Sequence, residues 1–80
     1  MGLDGVPKKF RKAFHYYSKA AAQLDPFSIF RIGKMTHRGF GTKKDEAKAE
    51  ELINQAKELG DKRAANYHNK HFLPKALQGI

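Results

Sequence analysis

Apolar positions recur at three- and four-residue steps through most of the chain, and no stretch shows the strict alternation of a half-buried strand. Phe10, Ala13, Phe14, Tyr17, Ala20, Ala21 and Leu24 form one such stripe and predict a first helix from Pro7 to Leu24, with Pro7 suited to the opening turn. Asp25-Pro26 then restarts the pattern: Asp25 is an N-cap, Pro26 occupies the first helical position, and Ile29, Phe30, Ile32 and Met35 point inward until Gly39-Phe40-Gly41 ends the run. A third helix is expected from about Asp45 to Leu59. Thr42 or Asp45 caps it, its stripe is Ala49, Leu52, Ile53, Ala56 and Leu59, and Gly60 stops it. Asp61 caps a fourth helix through Ala64, Ala65, His68 and Phe72, which Leu73-Pro74 terminates before a tail at Lys75 to Ile80.

Sliding the chain against itself by 36 residues aligns Gly5 with Gly41, Lys8 with Lys44, Lys12-Ala13 with Lys48-Ala49, Ala20 with Ala56, Asp25 with Asp61, and Lys34 with Lys70. The lysine matches carry little weight in a lysine-rich chain. The glycine, alanine and aspartate matches fall where an array of helical hairpins needs them: before a helix, where two helices approach closely, and at the cap of the next helix.

Within this register, the run from Ala20-Ala21-Ala22 through Leu24-Asp25, Ile32-Gly33, Gly39-Phe40-Gly41-Thr42-Lys43-Lys44-Asp45 and Lys48-Ala49 to Ala56, Gly60-Asp61 and Ala64 resembles one complete unit of the Sel1-like repeat family. That family is related to tetratricopeptide repeats. Gly5 to Lys9, Lys12-Ala13 and Tyr16-Tyr17 look like the loop and second helix of a preceding unit. The resemblance implies an all-α hairpin array with a right-handed solenoid sense. Residues 5–24 would be the second helix of a first repeat, 25–60 one complete repeat, 61–73 the first helix of a third, and 74–80 a tail. Leu24 stands where the family has Gly, Ser28 where it has a small Ala, Thr36 where it usually has Tyr, and His68-Asn69 where it has Leu-Gly.

Composition narrows the class of protein. Eighty residues make one domain at most; 40% apolar residues are too many for a purely disordered tail, and 30% charged residues without a long apolar run give no membrane span. The absence of cysteine removes disulfides and cysteine-ligated zinc, so a core this small needs helix packing or a partner. The net charge of +8 is lopsided: the first forty residues carry eight Lys and Arg against Asp4 and Asp25, and also hold seven of the nine aromatics. An intracellular chain, soluble or held in a complex, is expected. The acid-free, basic, amphipathic stretch from Gly5 to Leu24 has the character of mitochondrial targeting segments.

Catalytic chemistry is not expected, and neither is a cofactor or a small-molecule substrate. His68 and His71 read as surface histidines, His15 and His37 as isolated ones, and the carboxylates of the third helix as a solvated charge ladder with lysines. The expected function is binding. In arrays of the kind this chain resembles, the first helix of each unit lines a concave groove; here Arg31, Lys34 and Arg38 share one face of the second helix, with Tyr67 and Lys70 at the equivalent positions of the fourth. Such a groove suits an acidic or carboxylate-bearing partner segment. Phe10, Phe14 and Tyr17 serve either as an apolar docking patch or as core folded back onto the second helix. The alternative partner is nucleic acid, through Lys8, Lys9, Arg11, Lys12 and Lys19 with Tyr16. A module this short is expected to be a subunit of a larger assembly or part of a longer array.

Overall fold

The computed structural model describes residues 2–73, with side chains from residue 9 onward; the expected tail at 74–80 lies outside the described residues. Four helices follow in order: α1 (Gly2–Ala21), α2 (Pro26–Arg38), α3 (Glu46–Glu58) and α4 (Lys62–His71). The described residues contain no strand.

Three aspartates set the helix starts. Asp25 accepts from Ser28 N at 3.2 Å and from Ser28 Oγ at 2.6 Å, Asp45 from Lys48 N at 3.0 Å, and Asp61 from Arg63 N at 2.8 Å and Ala64 N at 3.1 Å. Each carboxylate thus satisfies amides that a helix leaves unpaired at its first turn. Asp45, and not Thr42, caps α3. Gly39 closes α2 in a left-handed conformation, φ 77, and its amide donates to Met35 O at 2.8 Å. At the far end of α3 the Asp61 amide reaches back to Ala56 O at 3.0 Å.

The first helix differs from the sequence reading at both ends. It begins at Gly2, so Pro7 lies within it and not at its first turn, and it stops at Ala21. Leu24, placed on the apolar stripe by its spacing, instead sits in the connecting turn with φ 64 and its side chain 56% exposed. Leu59 ends the α3 stripe in the same way, exposed beside Gly60.

Consecutive helices pack in pairs, α1 on α2, α2 on α3 and α3 on α4. The core is Ala21, Ile29, Phe30, Ile32, Ile53, Ala56 and Ala64, covered by Phe14, Tyr17, Leu52, Tyr67 and Phe72. Ile29 and Ile53 are completely enclosed, each contributing about 1.5–3 kcal/mol by burial. Gly33 allows the tightest approach: a methyl there would lie 2.6 Å from Ile53 Cδ1, so the α3 isoleucine rests directly on the α2 backbone.

His68 is the main departure in the core. Read as a surface residue, it is 7% exposed, with Nε2 3.5 Å from Glu50 Oε2 on α3 and a buried Nδ1 that has no partner. It lies one 36-residue step from Ile32, and α4 buries the equivalent position. Asp61 is buried as well, and its carboxylate pairs with Arg63 at 3.4 Å.

Candidate binding surface on α2 and α4

The inward face of α2 is fixed by Ile29, Phe30, Ile32 and Met35, all buried, and this places Arg31, Lys34 and Arg38 together on its other side. None of the three has a carboxylate within ion-pair distance among the described residues, whereas Lys44, Lys48 and Arg63 do. The side chains of Arg31 and Lys34 lie against aromatic rings. The Arg31 guanidinium lies 5.6 Å from the Tyr17 ring centre and 6.0 Å from that of Phe27, and its buried Nε has no acceptor. Lys34 Nζ is 5.3 Å from the Phe30 ring and 5.9 Å from that of Tyr67. Burial holds the Lys34 ammonium below the usual lysine value of 10.5, and the neighbouring charges of Arg31 and Arg38 act in the same direction. The surface therefore holds positive charge that no carboxylate among the described residues pairs with.

Tyr67 and Lys70 reach this surface differently. Tyr67 bridges the helices: its ring meets Phe30 edge-on at 5.9 Å, and its hydroxyl shares a hydrogen bond of 2.6 Å with His37 Nδ1. Lys70 is exposed on α4. His37, read as isolated, belongs to a cluster with Tyr67, His71 and Phe72; the His37 and His71 rings are 5.4 Å apart, and Tyr67 and His71 are 4.2 Å apart. Burial first, then the charges of His37, Lys70, Arg38 and Lys34, keep the His71 imidazole below the ordinary histidine value of 6.5. The 36-residue register carries the signal for this cluster. It sets the ends of α2 and α4 side by side, and His37 and His71 are at those ends.

The first helix contributes a wall. Phe10 stacks on Phe40 from the loop after α2, with ring centres 4.8 Å apart and planes 11° from parallel. Phe14 and Tyr17 pack against the core, and Tyr17 also meets Phe27 edge-on at 6.0 Å. All three aromatics thus make intramolecular contacts. Between α1 and α2 opens a cavity of about 370 Å³, with Phe10, Met35 and Phe40 as its apolar lining and Arg31, Lys34 and Arg38 as its cationic lining.

The other basic residues form a separate face. Lys9, Arg11, Lys12 and Lys19 are exposed on α1, and the Lys8 side chain lies outside the described residues. Arg11, Lys12, His15 and Lys19 surround Tyr16, which is 70% exposed. No group of three or more metal-ligating side chains occurs among the described residues. No helix among them is long and apolar enough to cross a membrane.

Helices that pair with their sequence neighbours, and aspartate caps one repeat apart at Asp25 and Asp61, define an α-helical hairpin-repeat protein. The Sel1 repeat model matches residues 1–23 and 26–61, and the chain belongs to the Sel1 repeat family. Repeats of this family are helical hairpins that serve in protein–protein interaction. The chain is similar to cytochrome c oxidase assembly factor 7A of Xenopus laevis, at 34% identity over 58 residues. That stretch covers 72% of this chain and 25% of the relative, so the chain spans about a quarter of the length of the curated protein it matches. No solved structure matches.

Proposed function

We propose that this chain is a non-catalytic interaction module in the assembly of a larger protein complex, and that it engages an acidic segment of its partner through the surface shared by α2 and α4. The observation that carries this reading is the set of three cations, Arg31, Lys34 and Arg38, two of them held on aromatic rings and none with a carboxylate within ion-pair distance among the described residues. Burial and the charges of Arg31 and Arg38 disfavour the Lys34 ammonium, and an anionic partner relieves that cost on binding. Membership of the Sel1 repeat family supports a protein partner, and the relative's name supports a role in complex assembly. The same name, with the acid-free basic stretch of α1, supports a mitochondrial setting.

The test is charge reversal. A tagged chain carrying Arg38→Glu with Lys70→Glu, both at exposed positions, is expected to lose the proteins that co-purify with the unaltered chain while keeping its helical circular dichroism. Retention of the same partners in the same amounts would sink the acidic-segment reading.

A second reading rests on α1, where Tyr16 is exposed among Arg11, Lys12, His15 and Lys19. Cations around an exposed ring suit single-stranded RNA, by phosphate neutralisation and base stacking. Filter binding at two salt concentrations tests it. A steep fall in affinity with salt supports it, and no binding at low salt removes it.

A further inference from the structure

We propose that the cavity between α1 and α2 takes an apolar anchor residue of the partner segment, flanked two residues away on each side by a carboxylate. This rests on the acidic-segment reading above and specifies what that segment contains. The cavity joins two chemistries in one opening. Phe10, Met35 and Phe40 supply apolar lining, Arg31, Lys34 and Arg38 supply the charge, and the volume of about 370 Å³ lies in the range of sites that enclose a group of side-chain size or larger. A purely acidic strand would leave the Phe10–Phe40 stack unused, and a purely apolar one would leave three cations facing a dry contact.

The spacing of the charges sets the spacing of the carboxylates. Arg31 and Arg38 are seven residues apart on one helix, about 10 Å along its axis at 1.5 Å per residue. An extended segment advances about 3.3 Å per residue and turns alternate side chains to one face, so carboxylates four residues apart, about 13 Å, reach both long arginine side chains, and the residue midway between them lies over the cavity. Lys34 stands midway. A single terminal carboxylate cannot span that distance, which favours an internal segment as the occupant. Arg31 adds a second, independent observation, since its buried Nε donor has no acceptor within the fold.

The experiment titrates the full 80-residue chain into a dye-labelled hexapeptide, blocked at both ends, with Glu at its first and fifth positions and Phe at its third. Fluorescence anisotropy is read at low salt. Replacing that Phe by Ala is expected to weaken binding at least about ten-fold, as burial of one aromatic side chain implies, and replacing either Glu by Gln is expected to do the same. Phe40→Ala in the protein should weaken the Phe peptide while leaving the Ala peptide unchanged, a coupling that a general loss of folding would not produce. Equal binding of the Phe and Ala peptides, both sensitive to Arg38→Gln, overturns the anchor and leaves the acidic-segment reading intact. Tighter binding of a peptide ending in Phe with a free carboxylate overturns the internal segment. Absence of binding by every peptide, while the charge-reversal variant still loses its partners, overturns the cavity proposal alone.

Discussion

Gly41 and Gly60 carry similar backbone conformations in different surroundings, and comparing them isolates the contact that holds α1 in place. Both have positive φ, +81 and +101, where a residue with a side chain is strained by roughly 1–2 kcal/mol. Alanine recovers about 0.4–1 kcal/mol by restricting the unfolded chain, so Gly60→Ala, whose methyl would meet nothing within 4 Å, should cost about 1 kcal/mol. A methyl on Gly41 meets the backbone of α1: it would lie 2.6 Å from Phe10 C, 3.0 Å from Arg11 N, and against Phe10 O. Those atoms belong to a continuous helix and cannot yield singly. The helix must retreat by about 1 Å, loosening the Phe10–Phe40 stack and the packing of Phe14 and Tyr17, an overpacking cost of about 1–3 kcal/mol. Gly41→Ala should therefore lose about 2–4 kcal/mol, a large part of the 5 kcal/mol or so expected of a small domain. Urea unfolding followed by circular dichroism measures both variants, and hydrogen exchange should show faster exchange of α1 amides in Gly41→Ala alone. Equal losses in the two variants would refute the steric argument and show that the loop and α1 separate without cost.

Two further outcomes follow from single residues. Leu24→Gly should raise the melting temperature by about 3 °C, because it relieves the φ of 64 at a residue whose side chain is already largely in water; a fall would mean that the Leu24 side chain matters more than its backbone. His71 gives a pH dependence with a definite sign: its folded-state pKa lies below 6.5, so in the window beneath that value the unfolded chain binds more protons and stability falls as pH is lowered. Thermal melts between neutral and mildly acidic pH should show that slope, and His71→Gln should flatten it; an unchanged slope would assign it to other groups.

The helix boundaries were legible wherever a side chain announces them. Asp25, Asp45 and Asp61 cap as their positions imply, and Ile29, Phe30, Ile32 and Met35 are buried as the 3.6-residue period requires. Failures came where periodicity continued past the real end of a helix or where polarity misled. Leu24 keeps the helical spacing of α1, yet Gly60, its equivalent one repeat later, marks the position as a left-handed turn. His68 is polar, but its equivalent, Ile32, is a core position. In both cases the repeat held information that the local pattern lacked. The surface is different in kind. The shared face of Arg31, Lys34 and Arg38 follows from helix geometry, while the Phe10–Phe40 stack and the His37–Tyr67 hydrogen bond join residues about thirty apart and depend on how the helices dock.

The pairwise packing of each helix on its immediate neighbour in sequence also bears on how the chain reaches and leaves this structure. With extensive packing confined to α1 on α2, α2 on α3 and α3 on α4, ordering one hairpin requires closing only a short loop. Folding should be rapid for a chain of this size, and the molecule can fray from either end while the α2–α3 pair stays formed. The same layout makes the hairpin an interchangeable part: a unit added beyond α4 or before α1 would meet the hairpin at that end and leave the more distant helices as they are.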